Sequence, residues 1–525
     1  MNSPPDAAAG KLFGPAAGAK TDSTRRRQSS YGQVLKSSTL IGASSLANVA
    51  LGVVRTKVLA VLLGPSGVGL LGLYNSVAEL ARSMAGLGVN SSGVRQIAEA
   101  VGTGDAQRIA STVTTLRRVA LYFGALGALL LLVFSKPVGR VTFGDERHST
   151  GVALLSLAVL FGNISAAQGA LVQGMRRISD LARISVLGAF FGTVFSIPII
   201  YLFGERGVVP SLVCVAGMSI LTSWWYARKI KVQSVKLSVR DIARESAGLL
   251  KLGMVFMASA LMLMGSVYLV RIILVRQLGF EAAGHYQAAW ALGGLYVGFI
   301  LQAMGADFYP RLTAVASNNA ECNRLVNEQA EVGLLLAGPG VLGTLVFSPL
   351  VIALFYSGRF GPAVEILRWF CLGMLLRVAS WPMGFILLAK GAAKVFFWSE
   401  LLANTLQVVL VYFSVRAFGL MGAGLGFFGM YLFYLIGIYL VVHRLSGFRW
   451  SAANTRVVSL YSLLIATVFF AWYKVPRTQF YILGVGVTVC GCLYSLRHIC
   501  SLVPLERLPR MAQRLLTHFL ACKNR

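Results

Sequence analysis

Apolar runs long enough to cross a bilayer recur along the chain from Leu40 onward, and that recurrence constrains the fold more than any motif. Inside a hydrocarbon layer every backbone N–H and C=O must find its partner within the segment, so apolar runs of about 20 residues form helices. About fourteen such segments can be placed. They lie at 38–63, 69–89, 116–135, 151–174, 184–203, 208–227, 252–278, 283–305, 332–355, 364–389, 395–414, 420–442, 457–473 and 480–499. Only 13% of residues are charged and 56% are hydrophobic, whereas a soluble globular protein carries about 25% charged residues. The fold class expected is an all-α polytopic membrane protein.

A net charge of +29 would ordinarily point to nucleic acid. Here the basic residues sit in short loops between apolar runs, which is the pattern of topology determinants, so no nucleic-acid partner is expected. With the amino terminus in the cytoplasm, most of the 48 Lys and Arg fall in cytoplasmic loops and tails. The inverted assignment would put them outside, so both termini are expected in the cytoplasm. The seven cysteines are scattered, and the C-x-C of Cys490 and Cys492 has no His or second pair near it. His148, His285, His443, His498 and His518 show no ligand spacing, so neither a metal nor a cofactor is expected.

The chain is organised around residues 55–84, RTKVLAVLLGPSGVGLLGLYNSVAELARSM, where two apolar segments are pinched around a Gly/Pro turn. The stretch recurs as VRQLGFEAAGHYQAAWALGGLYVGF, with Gly279 and Gly284 in the places of Gly64 and Gly69. A second echo pairs 93–109 with 309–325, matching Asp105 to Glu321 and Arg108 to Arg324. An even number of spans separates the copies, so the halves are expected to be parallel repeats of about six helices each. The expected division is a disordered cytoplasmic tail (1–35), an N-terminal lobe (36–227), a basic cytoplasmic linker (228–251) and a C-terminal lobe (252–442). Two additional helices (443–500), expected to be peripheral, and a basic amphipathic tail (501–525) follow. That tail, with Leu508, Met511, Leu515 and Phe519 on one side, suits the surface of the inner leaflet. No apolar h-region precedes Tyr31, which argues against a cleavable signal peptide.

Ionisable groups at membrane depth cost at least about 2.5–3.5 kcal/mol, so by default they face a cavity or a partner. Arg55, Lys57, Glu79, Arg82, Arg271, Arg377 and Glu400 lie deep enough in their spans for this to apply. Asn48 and Arg55 share a helical face, while Asn75, Glu79 and Arg82 form a stripe that Glu400, Asn404 and Gln407 repeat. Glu79 is expected to pair with Arg55 or Arg82; Arg276 and Arg368, near span ends, are expected to snorkel outward. Cations outnumber carboxylates within the spans, and guanidinium binds phosphate oxygens bidentately. Arg55, Lys57, Arg82, Arg271 and Arg377 are therefore the expected anion-binding set. Glu79 and Glu400 serve as coupling or salt-bridge groups, and Asn48, Asn75, Asn404 and Gln407 as polar lining.

The stretch LLGPSGVGLLGLYNSVAELARSMAGLGV, with a Lys midway through the preceding segment, resembles the Wzx-type O-antigen translocases. The resemblance continues through DFYPRLTAV (307–315) and LRWFCLGMLLRVASWPMGFILLAKG (367–391) and covers residues 36–445. It implies the multidrug/oligosaccharidyl-lipid/polysaccharide exporter fold, in which two six-helix lobes form a V-shaped cavity. It further implies a flippase of the bacterial inner membrane that carries undecaprenyl-pyrophosphate-linked oligosaccharide by alternating access. The polyprenyl tail would stay among membrane lipids, and a polysaccharide polymerase and chain-length regulator would be partners. The two spans beyond the family's usual twelve are similar to the lipid II flippases. Two other functions compete. A cation or drug antiporter needs a cavity of net acidic character, and a membrane polymerase needs a large external loop; the sequence offers neither.

Overall fold

The computed structural model describes residues 18–232 and 239–502, and every regular element among them is helical. Helix α1 (Gly18–Gly86) is followed by the short amphipathic α2 (Val89–Thr103), then α3 (Ala106–Val133) and α4 (Ser135–Phe143). Helices α5 (Ser149–Gly174), α6 (Ile178–Phe203) and α7 (Val208–Ala227) complete the part of the chain before α8, here called the N-terminal lobe, and the part from α8 onward is called the C-terminal lobe. The C-terminal lobe begins with α8 (Val239–Leu278) and α9 (Phe280–Ala314) and continues through α10 (Asn319–Val346) and α11 (Ser348–Phe355). It closes with α12 (Ala363–Ala389), α13 (Ala393–Phe418) and α14 (Met421–Ser446), after which come α15 (Ala452–Lys474) and α16 (Arg477–Leu502).

Among the described residues twelve stretches are long and apolar enough to cross a membrane, against the fourteen segments expected. The difference lies in two of them, Gly42–Gly86 and Ile178–Ala227, of 45 and 50 residues. At 1.5 Å per residue each exceeds the roughly 30 Å hydrocarbon core about twofold. Both are interrupted: the first by Gly64, outside helical geometry at φ 67° and ψ −173°, the second by a 3-10 turn at Gly204–Gly207.

Local chemistry explains the breaks. Pro65 follows Gly64 and starts the second half of α1 at the position where its missing N–H costs nothing. Gly279, between α8 and α9, adopts the same unusual backbone, φ 88° and ψ 177°, so the recurring glycine serves the same turn twice. Gly104 ends α2 in the left-handed region. Asp105 then caps α3 by accepting from the Arg108 N–H, and Asn318 caps α10 by accepting from the N–H groups of Ala320 and Glu321. Asp105 thus corresponds in role to Asn318; the echo that matched it to Glu321 is out of register with the caps.

The halves of the molecule meet where their matching helices cross. A methyl group on Gly69 would overlap the Phe280 carbonyl oxygen, and one on Gly284 would overlap the Pro65 carbonyl oxygen. The crossing is reciprocal, and only hydrogen at both positions lets the backbones approach this closely.

The expectation for 1–35 falls partly outside the described residues; from Gly18 the backbone is helical and continuous with the first span. Residues 233–238 of the expected linker and the tail from 503 onward also lie outside them. Helices α15 and α16, expected at the periphery, pack on α10 and α12 and form part of the C-lobe core through Tyr461, Ile465, Phe469 and Phe480. Arg368 does not snorkel. It is 0% exposed, donating to the carbonyls of Leu345 (3.3 Å) and Phe469 (2.9 Å) beneath the rings of Phe469, Trp472, Tyr473 and Phe480. The aromatic side chains of α15 and α16 wall off its route to the interface.

Candidate functional site

Each lobe holds its own cavity. The N-lobe cavity, about 470 Å³, lies between both halves of α1, α5 and α7, and is lined by Arg55, Asn75, Glu79, Arg82, Ser165 and Ser219. Its polar side comes from the stripe on the second half of α1, where residues four and three apart stack on one face. Gly162 on α5 makes room for one of them: a Cβ there would lie 2.7 Å from Arg82 Cδ. The C-lobe cavity, about 350 Å³, is lined by Arg377 on α12, by Glu400, Asn404 and Gln407 on α13, and by Trp290, Trp381, Tyr431 and Tyr434.

The two differ in charge. In the N lobe two guanidiniums face one carboxylate, and the expected pairing of Glu79 with Arg55 or Arg82 is not made: among the described residues Glu79 closes no ion pair. Arg55 Nε is buried without a hydrogen-bond partner. In the C lobe Glu400 accepts a hydrogen bond from Tyr434 at 2.8 Å, and Arg377 reaches only Met374 Sδ at 3.9 Å among the described residues. One cation there faces one carboxylate, inside an aromatic wall. Gln407, 5% exposed, leaves its Nε2 unpartnered, and Asn404 donates back to the Glu400 carbonyl at 2.8 Å.

Three residues expected in a cavity are used elsewhere. Lys57 donates to the Ala353 carbonyl at 2.6 Å, joining the N lobe to α11. Arg271 donates to the Gly72 carbonyl at 3.2 Å, to Ser76 and to Gln287, and so ties α8 to α1 and α9. Asn48 donates to Ser185 Oγ at 2.7 Å, holding α1 against α6. Asn48 thus links helices within its lobe, and Lys57 and Arg271 are contacts between lobes. Of the expected anion-binding set, Arg55 and Arg82 line one cavity and Arg377 lines another.

Further bonds join the lobes at the same end of the molecule. Arg276 donates to the carbonyls of Arg140 and Val141, and Thr142 meets the Tyr268 hydroxyl. Tyr74, Phe143, His148 and Phe280 form a contiguous ring cluster across the boundary. At the other end a further cavity of about 360 Å³ extends from Glu79 and Arg82 between α2, α5 and α8. Residues beyond the sequence expectation appear there: Ser83, Asn90, Ser91 and Asn163. A single amide among the small residues of Gly162-Asn163-Ile164-Ser165-Ala166 was the available signal, since polar groups in spans gather where helices pack closely.

Residues 58–365 match the family described as "Polysaccharide biosynthesis protein". A lipid III flippase of Escherichia coli (strain K12) is 22% identical over 418 residues, covering 78% of this chain and 99% of the relative. Among solved structures, an inward-facing MATE multidrug transporter of the MOP superfamily superposes with a TM-score of 0.64 at 15% identity, covering 76% of this chain and 95% of its own. A lipid II flippase in an inward closed conformation also gives 0.64, at 14% identity, and covers 88% of this chain and 99% of its own. The fold is that of these transporters.

Proposed function

This chain belongs to the polysaccharide biosynthesis protein family, and from that premise we propose that it is a flippase for undecaprenyl-pyrophosphate-linked oligosaccharide, an O-antigen or exopolysaccharide repeat unit. It is a multi-pass membrane protein with flippase relatives. The observation that carries the substrate class is the pair Arg55 and Arg82, which line one cavity and close no ion pair with a carboxylate among the described residues. A diphosphate supplies acceptors to both guanidiniums, and charge-assisted bonds of that kind are each worth about 1.5–3 kcal/mol.

In this reading the head group enters the N-lobe cavity from the cytoplasmic leaflet while the lobes are fastened together at the outer end by Lys57, Arg276 and the Tyr268–Thr142 contact. Release of those contacts opens the cavity to the periplasm. The prenyl tail remains among lipids throughout. Both termini lie in the cytoplasm, and the membrane potential, negative inside, favours outward movement of negative charge by about 2.3 kcal/mol per charge at 100 mV. Cargo delivered to the outer leaflet suits a polymerase and chain-length regulator as downstream partners. The C-lobe cavity, aromatic and locally balanced in charge, suits contact with sugar rings after the lobes rearrange.

Arg55→Ala should abolish surface polysaccharide in a strain that depends on this protein while the variant still inserts in the membrane at wild-type level. Arg55→Lys should retain part of the activity, since it keeps the charge and loses the bidentate geometry. Normal polysaccharide from a well-inserted Arg55→Ala protein, or transport of a fluorescent cationic drug by proteoliposomes in its place, would count against the assignment.

A further inference from the structure

The cavity between α1, α2, α5 and α8 holds an amide with no partner among the described residues. Asn163 is 2% exposed, and both its Nδ2 and its Oδ1 lack a hydrogen bond. Burying an amide in that state is costly. Two glycines make room for its side chain. A Cβ at Gly86 would lie 2.9 Å from Asn163 Oδ1, and one at Gly124 would lie 3.2 Å from Asn163 Cβ. Glu79, Arg82, Ser83, Asn90 and Ser91 complete the polar wall, with Met257 and Met264 of α8 also lining the cavity.

The unpartnered atoms identify the occupant by its hydrogen-bonding capacity. A diphosphate carries only acceptors at neutral pH, so it can satisfy Nδ2 and never Oδ1. The unpartnered oxygen requires a donor, and this holds whichever way the amide is turned, because neither atom has a partner. A hydroxyl donates and accepts at once. Serine hydroxyls, a second amide and a carboxylate around the same space repeat that mixture, and the methionines offer a soft apolar surface to a C–H face. The cavity shares Glu79 and Arg82 with the N-lobe cavity, so a ligand whose diphosphate sits at Arg55 and Arg82 has its next group here.

We infer that this cavity is a carbohydrate subsite and that Asn163 binds a hydroxyl or amide of the sugar joined to the diphosphate. The inference rests on the flippase reading and adds to it where the neutral part of the substrate is recognised. The test uses the full-length protein in nanodiscs and two probes, farnesyl diphosphate and N-acetylglucosaminyl-diphosphofarnesol. Asn163→Leu should weaken binding of the glycosylated probe about tenfold and leave farnesyl diphosphate unchanged. Asn90→Ala, at a less buried position, should show the same selective loss. Arg55→Ala should weaken both probes alike.

Equal losses for both probes in the Asn163 and Asn90 variants would mean a structural role, and no loss in either would mean that only water fills the space; each overturns the sugar subsite. If Arg55→Ala leaves both affinities unchanged, or wild-type protein binds neither probe, the diphosphate reading fails, and the subsite with it.

Discussion

Gly284→Ala is expected to stop transport and to lower thermal stability, because its methyl group would overlap the Pro65 carbonyl oxygen on the opposite lobe. The atom it meets is backbone, which cannot turn aside as a side chain would. Either the two helices separate or the break after Gly64 distorts, and overpacking of this kind costs about 1–3 kcal/mol. Gly69→Ala meets the Phe280 carbonyl oxygen in the mirrored contact and should behave alike. The double variant supplies the sharper check. Once one methyl has pushed the helices apart the second has room, so the two losses should sum to less than additivity. Thermal unfolding of the two single variants and the double variant measures this directly. Fully additive losses would mean that the glycines act on separate contacts, and the reciprocal crossing would not hold.

Arg368→Ala is expected to destabilise the C-terminal lobe by about 3–5 kcal/mol, the range for opening an enclosed charged site or a core cavity. The site is closed on every side by α10, α12, α15 and α16. Truncation removes two hydrogen bonds to carbonyls and the cation under Trp472, whose ring centroid is 4.6 Å away. It also leaves Glu365, which accepts from Trp472 and Tyr473, without a cation beside it. Against these losses stands the relief of no longer burying a guanidinium. Arg368→Met separates the two: it fills most of the volume, and replacing buried ionic groups by apolar ones is often close to neutral. Melting temperatures in the order wild type, Met, Ala, with Ala far below Met, are expected. Equal losses for Met and Ala would place the energy in the charge alone.

How far the sequence reached depends on what kind of question was asked of it. Span positions were legible because a helix in lipid must satisfy its backbone by itself, so composition over about 20 residues decides it. The break at Gly64 was legible for a related reason: Gly followed by Pro ends one helix and starts another. Its recurrence aligned Gly279 with Gly64, and the two glycines share one backbone conformation. The direction of each buried charge was another matter. A helical wheel gives phase within one helix and says nothing of its neighbours. Lys57 shares its span with Arg55, yet one reaches across to α11 and the other lines the N-lobe cavity. Arg271 looked like a free cation because Ser76 and Gln287, its partners, lie far away in sequence. Arg368 looked interfacial because the aromatic residues that enclose it arrive about a hundred residues later. Asn163 went unnoticed for the opposite reason, since a single amide makes no stripe.

The surplus of cations counted over all spans also turned out to be local. Lys57 and Arg271 spend their charge holding the lobes together, and Arg377 faces Glu400 across one cavity. What remains is Arg55 with Arg82, both on α1 and both turned into the N lobe. The proposed mechanism therefore depends on one lobe more than on a symmetric vestibule.

Reconstituted translocation tests that dependence most directly. Proteoliposomes carrying the wild-type protein should move polyprenyl-diphosphate-linked oligosaccharide between leaflets, faster when the potential draws negative charge in that direction. Arg55→Ala combined with Arg82→Ala should lower the rate about a hundredfold or more, as expected from losing two charge-assisted bonds. A doubly neutralised protein that flips the lipid at the wild-type rate would contradict the account.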